Sequence, residues 1–132
     1  MKADLEYEYN NWINHLSNIK KLSQNSVISY KNDISKFLIF FQDYIEKNIG
    51  LKEMESIKIS EFRSFLTHRR NSEISSNSIA RNISALKSFF RFLIKNNKIK
   101  ESSVFNLKSP KLKKSLPRPI NVDLAIQVIK QA

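Results

Sequence analysis

Residues 75 to 97, SSNSIARNISALKSFFRFLIKNN, set Ile79, Ile83, Leu86, Phe90, Leu93 and Ile94 within one arc of a helical wheel, and that arc must find an apolar partner. The opposite arc carries Asn77, Arg81, Ser84, Ser88, Arg91 and Lys95, and the stretch contains no acidic residue. Helices that need only solubility usually mix both signs on their wet face, because opposite charges three or four residues apart support the helix. A basic face without such partners asks for something anionic opposite it.

Three more apolar stripes precede this one. Leu5, Tyr9, Trp12, Ile13 and Leu16 predict a helix over about residues 4 to 19 that ends before Lys20-Lys21. Ser23 reads as the N-cap of the next, where Val27, Tyr30, Ile34, Phe37, Leu38, Phe41 and Ile45 lead to the only glycine, Gly50. Ser60 reads as the cap of a short third helix through Phe62, Phe65 and Leu66, which stops at RRNSE, and Ser75 or Ser76 caps the fourth. No convincing strand pattern accompanies them. The expected fold is all-α, a compact four- to five-helix bundle over residues 1–107.

Past Phe105 the texture changes. NLKSPKLKKSLPRP holds three prolines, four lysines and an arginine, which disfavours a helix and predicts an extended basic linker over 108–119. Asn121 then opens one further helix within 120–132, whose Leu124, Val128 and Ile129 have nothing left in the sequence to cover them. Such a helix packs back on the bundle, docks on a partner or opens a further domain of a longer protein, and the last is the preferred reading.

Charge sharpens the functional reading. The net charge is +11, but residues 1 to 73 hold 11 basic and 10 acidic side chains, whereas residues 74 to 132 hold 12 basic ones against Glu101 and Asp123. A one-sided positive field of this kind favours nucleic acid first and anionic lipid second. The absence of cysteine excludes disulfide scaffolds and thiolate metal sites. No run approaches the roughly 18 apolar residues of a membrane span, and acids occupy the N-terminus where a signal peptide is apolar, so a soluble, cytoplasmic protein is expected.

Three segments, SQNSVISYKNDISKF (23 to 37), SSNSIARNISALKSFFRFLIKNNKI (75 to 99) and KSPKLKKSLPRPI (108 to 120), together resemble a known family. In order and spacing they are similar to the N-terminal core-binding (SAM-like) domain and linker of tyrosine recombinases and phage-type integrases, in the style of the bacterial Xer recombinases. Ser23, Ser26, Tyr30, Asp33 and Phe37 fit the pattern of the second helix, with Ser26 where the family has Thr. In the fourth, Ser78, Ile79, Arg81, Ser84, Ala85, Leu86, Phe89 and Phe90 match. Ser102-Ser103 stand where family members usually carry Asn-Pro.

The resemblance implies duplex DNA binding as the N-terminal half of a site-specific recombinase acting in DNA integration, recombination or chromosome dimer resolution. It points to Ser26, Ser29, Asn32, Asn77, Ser78 and Arg81 as DNA contacts, with Ser84 and Lys87 on the same helix and Lys111, Lys113 and Lys114 of the linker near phosphates. Implied partners are double-stranded DNA and a homologous recombinase protomer on it, with no membrane, metal, cofactor or small-molecule ligand. The family's catalytic arginines, lysine, histidines and tyrosine nucleophile belong to a C-terminal domain, so no catalytic residue is expected in this chain. His68, in HRRN, lacks the His-x-x-Arg spacing; His15 reads as a helix-surface residue, and Tyr7, Tyr9, Tyr30 and Tyr44 read as packed or interfacial. The alternative is a helical protein-interaction module whose basic strap docks on an acidic partner. RNA binding is weaker, for want of aromatics interleaved on a sheet.

Overall fold

The computed structural model describes residues 1–72 and 75–109. The described residues form five α-helices, α1 (Ala3–Asn18), α2 (Gln24–Ile45), α3 (Leu51–Glu55), α4 (Ile59–Asn71) and α5 (Ser76–Lys95), followed by a 3₁₀ turn at Ser103–Asn106, and no strand is found among them. The all-α expectation holds for the bundle. The proposed linker and final helix fall almost wholly outside the described residues.

Each apolar stripe turns inward. Leu5, Trp12, Ile34, Phe37, Phe62, Phe65, Ile79, Leu86, Phe89 and Phe90 are all buried, and they join one core. Phe37 is its hub, stacked on Phe41 and Phe62 and meeting Phe65 and Phe90 edge-on at centroid distances between 5.2 and 6.4 Å. Such pairs add to the burial of the rings themselves. One phenylalanine thereby joins α2 to both α4 and α5.

The ends of the helices correct the sequence reading in two places. The second helix stops at Ile45 rather than at Gly50, because Glu46 adopts a left-handed conformation with φ 56°. Gly50 instead precedes α3, which apolar periodicity overlooked, and donates its N–H to Glu53 at 2.7 Å. A Cβ on Gly50 would lie 2.8 Å from Asp4 Oδ1 and from Lys2 Cδ, so a side chain there would push against the start of α1. The third predicted helix begins one residue ahead of its expected cap: Lys58, not Ser60, is the N-cap, and its N–H donates to Glu61 at 2.8 Å. A glutamate three residues after the helix boundary satisfies one otherwise unpaired N–H in both cases.

Elsewhere non-glycine residues serve as helix stops. Lys21, Glu46 and Asn97 all have positive φ, and at Asn97 the N–H groups of Asn97 and Lys98 return to the carbonyls of Ile94 and Leu93 at 3.0 and 2.9 Å. That pair of hydrogen bonds closes α5. Lys98 then reaches Glu8, a buried carboxylate of α1, at 3.6 Å. The Ser102-Ser103 pair is also used: Ser102 Oγ accepts from the Val104 N–H at 3.1 Å and Ser103 Oγ donates to the Ile57 carbonyl at 2.9 Å. These bonds seat Val104 and Leu107 as the lid of the core.

Because Phe37 supports two other helices, Phe37→Ala is expected to cost about 3–5 kcal/mol of unfolding free energy, measured by urea titration. Exposed Tyr44→Ala, on the same helix, should cost well under half of that.

Candidate nucleic-acid interface

Both long helices open with the same four-residue pattern, Ser-x-Asn-Ser, at Ser23–Ser26 and Ser75–Ser78. In each the first Ser is the N-cap, its Oγ accepting from the N–H three residues on at 3.2 Å in α2 and 3.1 Å in α5. The same hydroxyl donates to the second Ser, Ser26 Oγ at 3.0 Å and Ser78 Oγ at 3.2 Å. Neither helix has an acidic residue in its first turn. The partial positive charge of each N-terminus is therefore left uncompensated by any side chain of that turn.

An ion pair locks these two helices together. Asp33 of α2 is buried, and Arg81 of α5 answers it with Nε at 2.8 Å from Oδ2 and Nη2 at 3.0 Å from Oδ1. Side-chain exposures are 41% for Arg81 and 3% for Asp33, so the carboxylate is sealed and the guanidinium lies at the surface. Hydrogen bonding to Asp33, and its charge, raise the Arg81 pKa against the opposing effect of burial, so the guanidinium stays charged. The acid-free stretch 75–97 has its counter-charge after all, supplied by a residue 48 positions away. Nη1 of Arg81 makes no hydrogen bond to a described residue and is left for another acceptor.

The remaining predicted residues are distributed around this bridge. Asn32, Asn77, Ser84 and Ser26 are exposed; Ser29, Ser78 and Lys87 are half-buried. Ser88 is less free than its place on the polar arc implied, since its Oγ accepts from Trp12 Nε1 at 3.1 Å and ties α1 to α5. Lys111, Lys113 and Lys114 lie outside the described residues. Lys108 is described and exposed, beside Arg63, Thr67 and Arg70 of α4. Apolar periodicity missed Asn82, which is 1% exposed; its Oδ1 accepts from Arg69 Nε at 3.2 Å, linking α4 to α5.

The tyrosines and histidines have structural surroundings. Tyr9 packs against Trp12 and Phe89, its hydroxyl 2.6 Å from Ser35 Oγ and donating to the Lys31 carbonyl at 3.0 Å, and burial raises its pKa. His15 lies against Phe92, with ring centroids 5.2 Å apart, and His68 lies against Phe40 at 5.3 Å. Among the described residues no group of three His, Cys, Asp or Glu is placed to hold a metal ion, and no helix is long and apolar enough to cross a membrane.

The two longest helices thus present matched, acid-free N-termini, and α5 adds a basic face. Residues 9–97 match the family model described as phage integrase, N-terminal SAM-like domain, and the chain belongs to that family. Its relatives are tyrosine recombinases. The protein is 30% identical over 128 residues to the tyrosine recombinase XerC of Brucella suis biovar 1, which covers 97% of this chain and 41% of the relative. It is 34% identical to the XerC proteins of Rickettsia conorii, over 114 residues, and Rickettsia typhi, over 112, each match covering 37% of the relative. The chain thus spans about two fifths of the length of these curated relatives. No solved structure matches it.

Removing Arg81 alone leaves Asp33 buried and unpaired. Arg81→Ala is expected to lower stability by about 2–3 kcal/mol, while the double variant Asp33→Leu with Arg81→Met regains most of the loss. Urea denaturation of the two single variants and the double variant gives the coupling directly.

Proposed function

We propose that this chain grips duplex DNA as the N-terminal part of a site-specific tyrosine recombinase, with strand cleavage residing in another domain of the parent protein. The observation that carries the reading is the pair of Ser-x-Asn-Ser helix starts, on two helices joined by the Asp33–Arg81 bridge, together with the basic face of α5. Free N–H groups at a helix start attract phosphate oxygens, and short polar side chains let a duplex approach closely. Asn25 and Asn77 hold equivalent places at the two starts, which suits contacts to backbone or base edges.

In this reading Ser26, Ser29, Asn32, Asn77, Ser78, Ser84 and Lys87 face the duplex, and Arg81 offers Nη1 to it while Nε and Nη2 hold Asp33. Lys111, Lys113 and Lys114 would add phosphate contacts from the linker. The parent reaction in this reading is site-specific DNA recombination, as integration or as resolution of chromosome dimers. Double-stranded DNA is the partner, joined by a second recombinase protomer on the same site.

A second reading, protein contact, is favoured by one feature. Ile39, Phe40, Tyr44, Phe65 and His68 line an apolar groove of about 490 Å³ between α2 and α4, and Ile39 and Tyr44 are exposed. Burial of such a groove would survive high salt, unlike phosphate contacts.

Fluorescence anisotropy of a labelled duplex, titrated at several salt concentrations with single strands as competitor, tests the first reading. Affinity that prefers duplex and falls steeply with salt is expected, and Lys87→Gln should reduce the slope of log K against log salt by about one unit. Asn77→Ala and Ser84→Ala report on the face without disturbing the ion pair that complicates any Arg81 variant. Absent or salt-indifferent binding would sink the DNA reading and turn attention to the apolar groove.

A further inference from the structure

The basic face of α5 does not end at α5. Lys20, in the corner between α1 and α2, comes across from it, so that Lys20, Leu22, Tyr30, Ser84, Lys87 and Arg91 line one cleft of about 310 Å³. A smaller recess of about 80 Å³ continues from it, sharing Lys20, Ser88 and Arg91 and adding His15, Phe92 and Lys95. No acidic side chain lines either one. The sequence reading treated Lys20 only as the end of a helix and placed Arg91 and Lys95 on the basic arc without naming them as contacts.

Three features show how the cleft is built. Trp12 Nε1, bonded to Ser88 Oγ at 3.1 Å, fixes α1 against α5. The Lys20 N–H is bonded to the His15 carbonyl at 3.0 Å, which holds the corner in place at the end of α1. The Arg91 guanidinium carbon lies 5.8 Å from the centre of the Phe105 ring, so this otherwise exposed side chain has a surface to lean on. Repulsion among Lys20, Lys87, Arg91 and Lys95 is unrelieved within the cleft, and an anion seated there would relieve it.

We infer that this cleft is a second grip on DNA, in which Lys20 of the α1–α2 corner and Arg91 of α5 hold a backbone phosphate between them. The inference rests on the DNA-binding reading and extends it to α1. The polar face of α5 from Asn77 to Lys95 runs roughly 27 Å, enough to follow several phosphates beyond those at the helix starts. A phosphate between Lys20 and Arg91 would lie near the start of α2 and beside the C-terminal half of α5.

His15 is a built-in reporter. Burial lowers its pKa, and Lys20 and Lys95 lower it further. A bound phosphate supplies the missing negative charge, so the imidazole should titrate at higher pH when duplex is present.

The test uses the full 132-residue chain. Lys20→Gln and Arg91→Gln should each weaken duplex binding by about 3–10-fold at low salt and reduce the salt slope by about one unit, with unchanged thermal midpoints. Arg91→Lys should keep the slope. Lys52→Gln, beyond the start of α1 and roughly 24 Å away, should change neither quantity. In NMR titrations the His15 ring should move toward higher pKa on adding duplex, with the His68 ring as reference resonance. Unaltered slopes in both Gln variants together with an unmoved His15 would overturn the clamp while leaving DNA binding standing. If the unaltered chain binds no duplex, the functional reading itself falls and the clamp with it.

Discussion

Asp33 lies sealed between the two longest helices, and a carboxylate is tolerable in that position only because Arg81 meets it with two hydrogen bonds. This pairing joins α2 to α5 beside the aromatic packing of Phe37 against Phe90. Hydrophobic packing between helices tolerates sliding by fractions of a turn, whereas a two-pronged guanidinium–carboxylate contact has one good geometry. The bridge therefore helps to fix how the two helices lie against each other.

Around the bridge the core performs a complementary task. The phenylalanines centred on Phe37 hold α4 against α2 and α5, and Trp12 and Phe89 hold α1, so the outward face of α5 is free to be polar. Polar tethers recur where elements meet: Arg69 with Asn82, Lys98 with Glu8, Ser103 with the Ile57 carbonyl. Each fixes register at a junction that apolar contacts alone would leave loose.

How much of this was legible in the sequence follows from the range of each interaction. Helical periodicity is local, and all four apolar stripes, with Phe37, Ile79, Leu86 and Phe90 in the core, stand where the spacing put them. The serine caps of α2 and α5 are local too. Helix α3 was missed because five residues are too few to show a period, and a lone glycine looks the same whether it closes one helix or opens the next. The glutamates three residues after Gly50 and Lys58 were the available signal for both misplaced boundaries. The partner of Arg81 was out of reach, since nothing local distinguishes Asp33 from a solvated acid, and the cleft beside Lys20 depends on how α1 lies against α5. Charge bookkeeping along the chain identified the basic face but not the acid that serves it.

The scarcity of glycine has a counterpart in the unfolded chain. With a single glycine, the protein ends three of its turns on Lys21, Glu46 and Asn97, each held in a left-handed conformation that L-residues adopt at a cost of roughly 1 kcal/mol or more. A glycine at those positions would relieve the strain, but it would also widen the set of shapes open to the denatured polypeptide. The strain kept in the native turns is thus set in part against a denatured ensemble with less freedom to lose. The stability of these corners has a share that belongs to the unfolded chain, beside the hydrogen bonds that close them in the folded one.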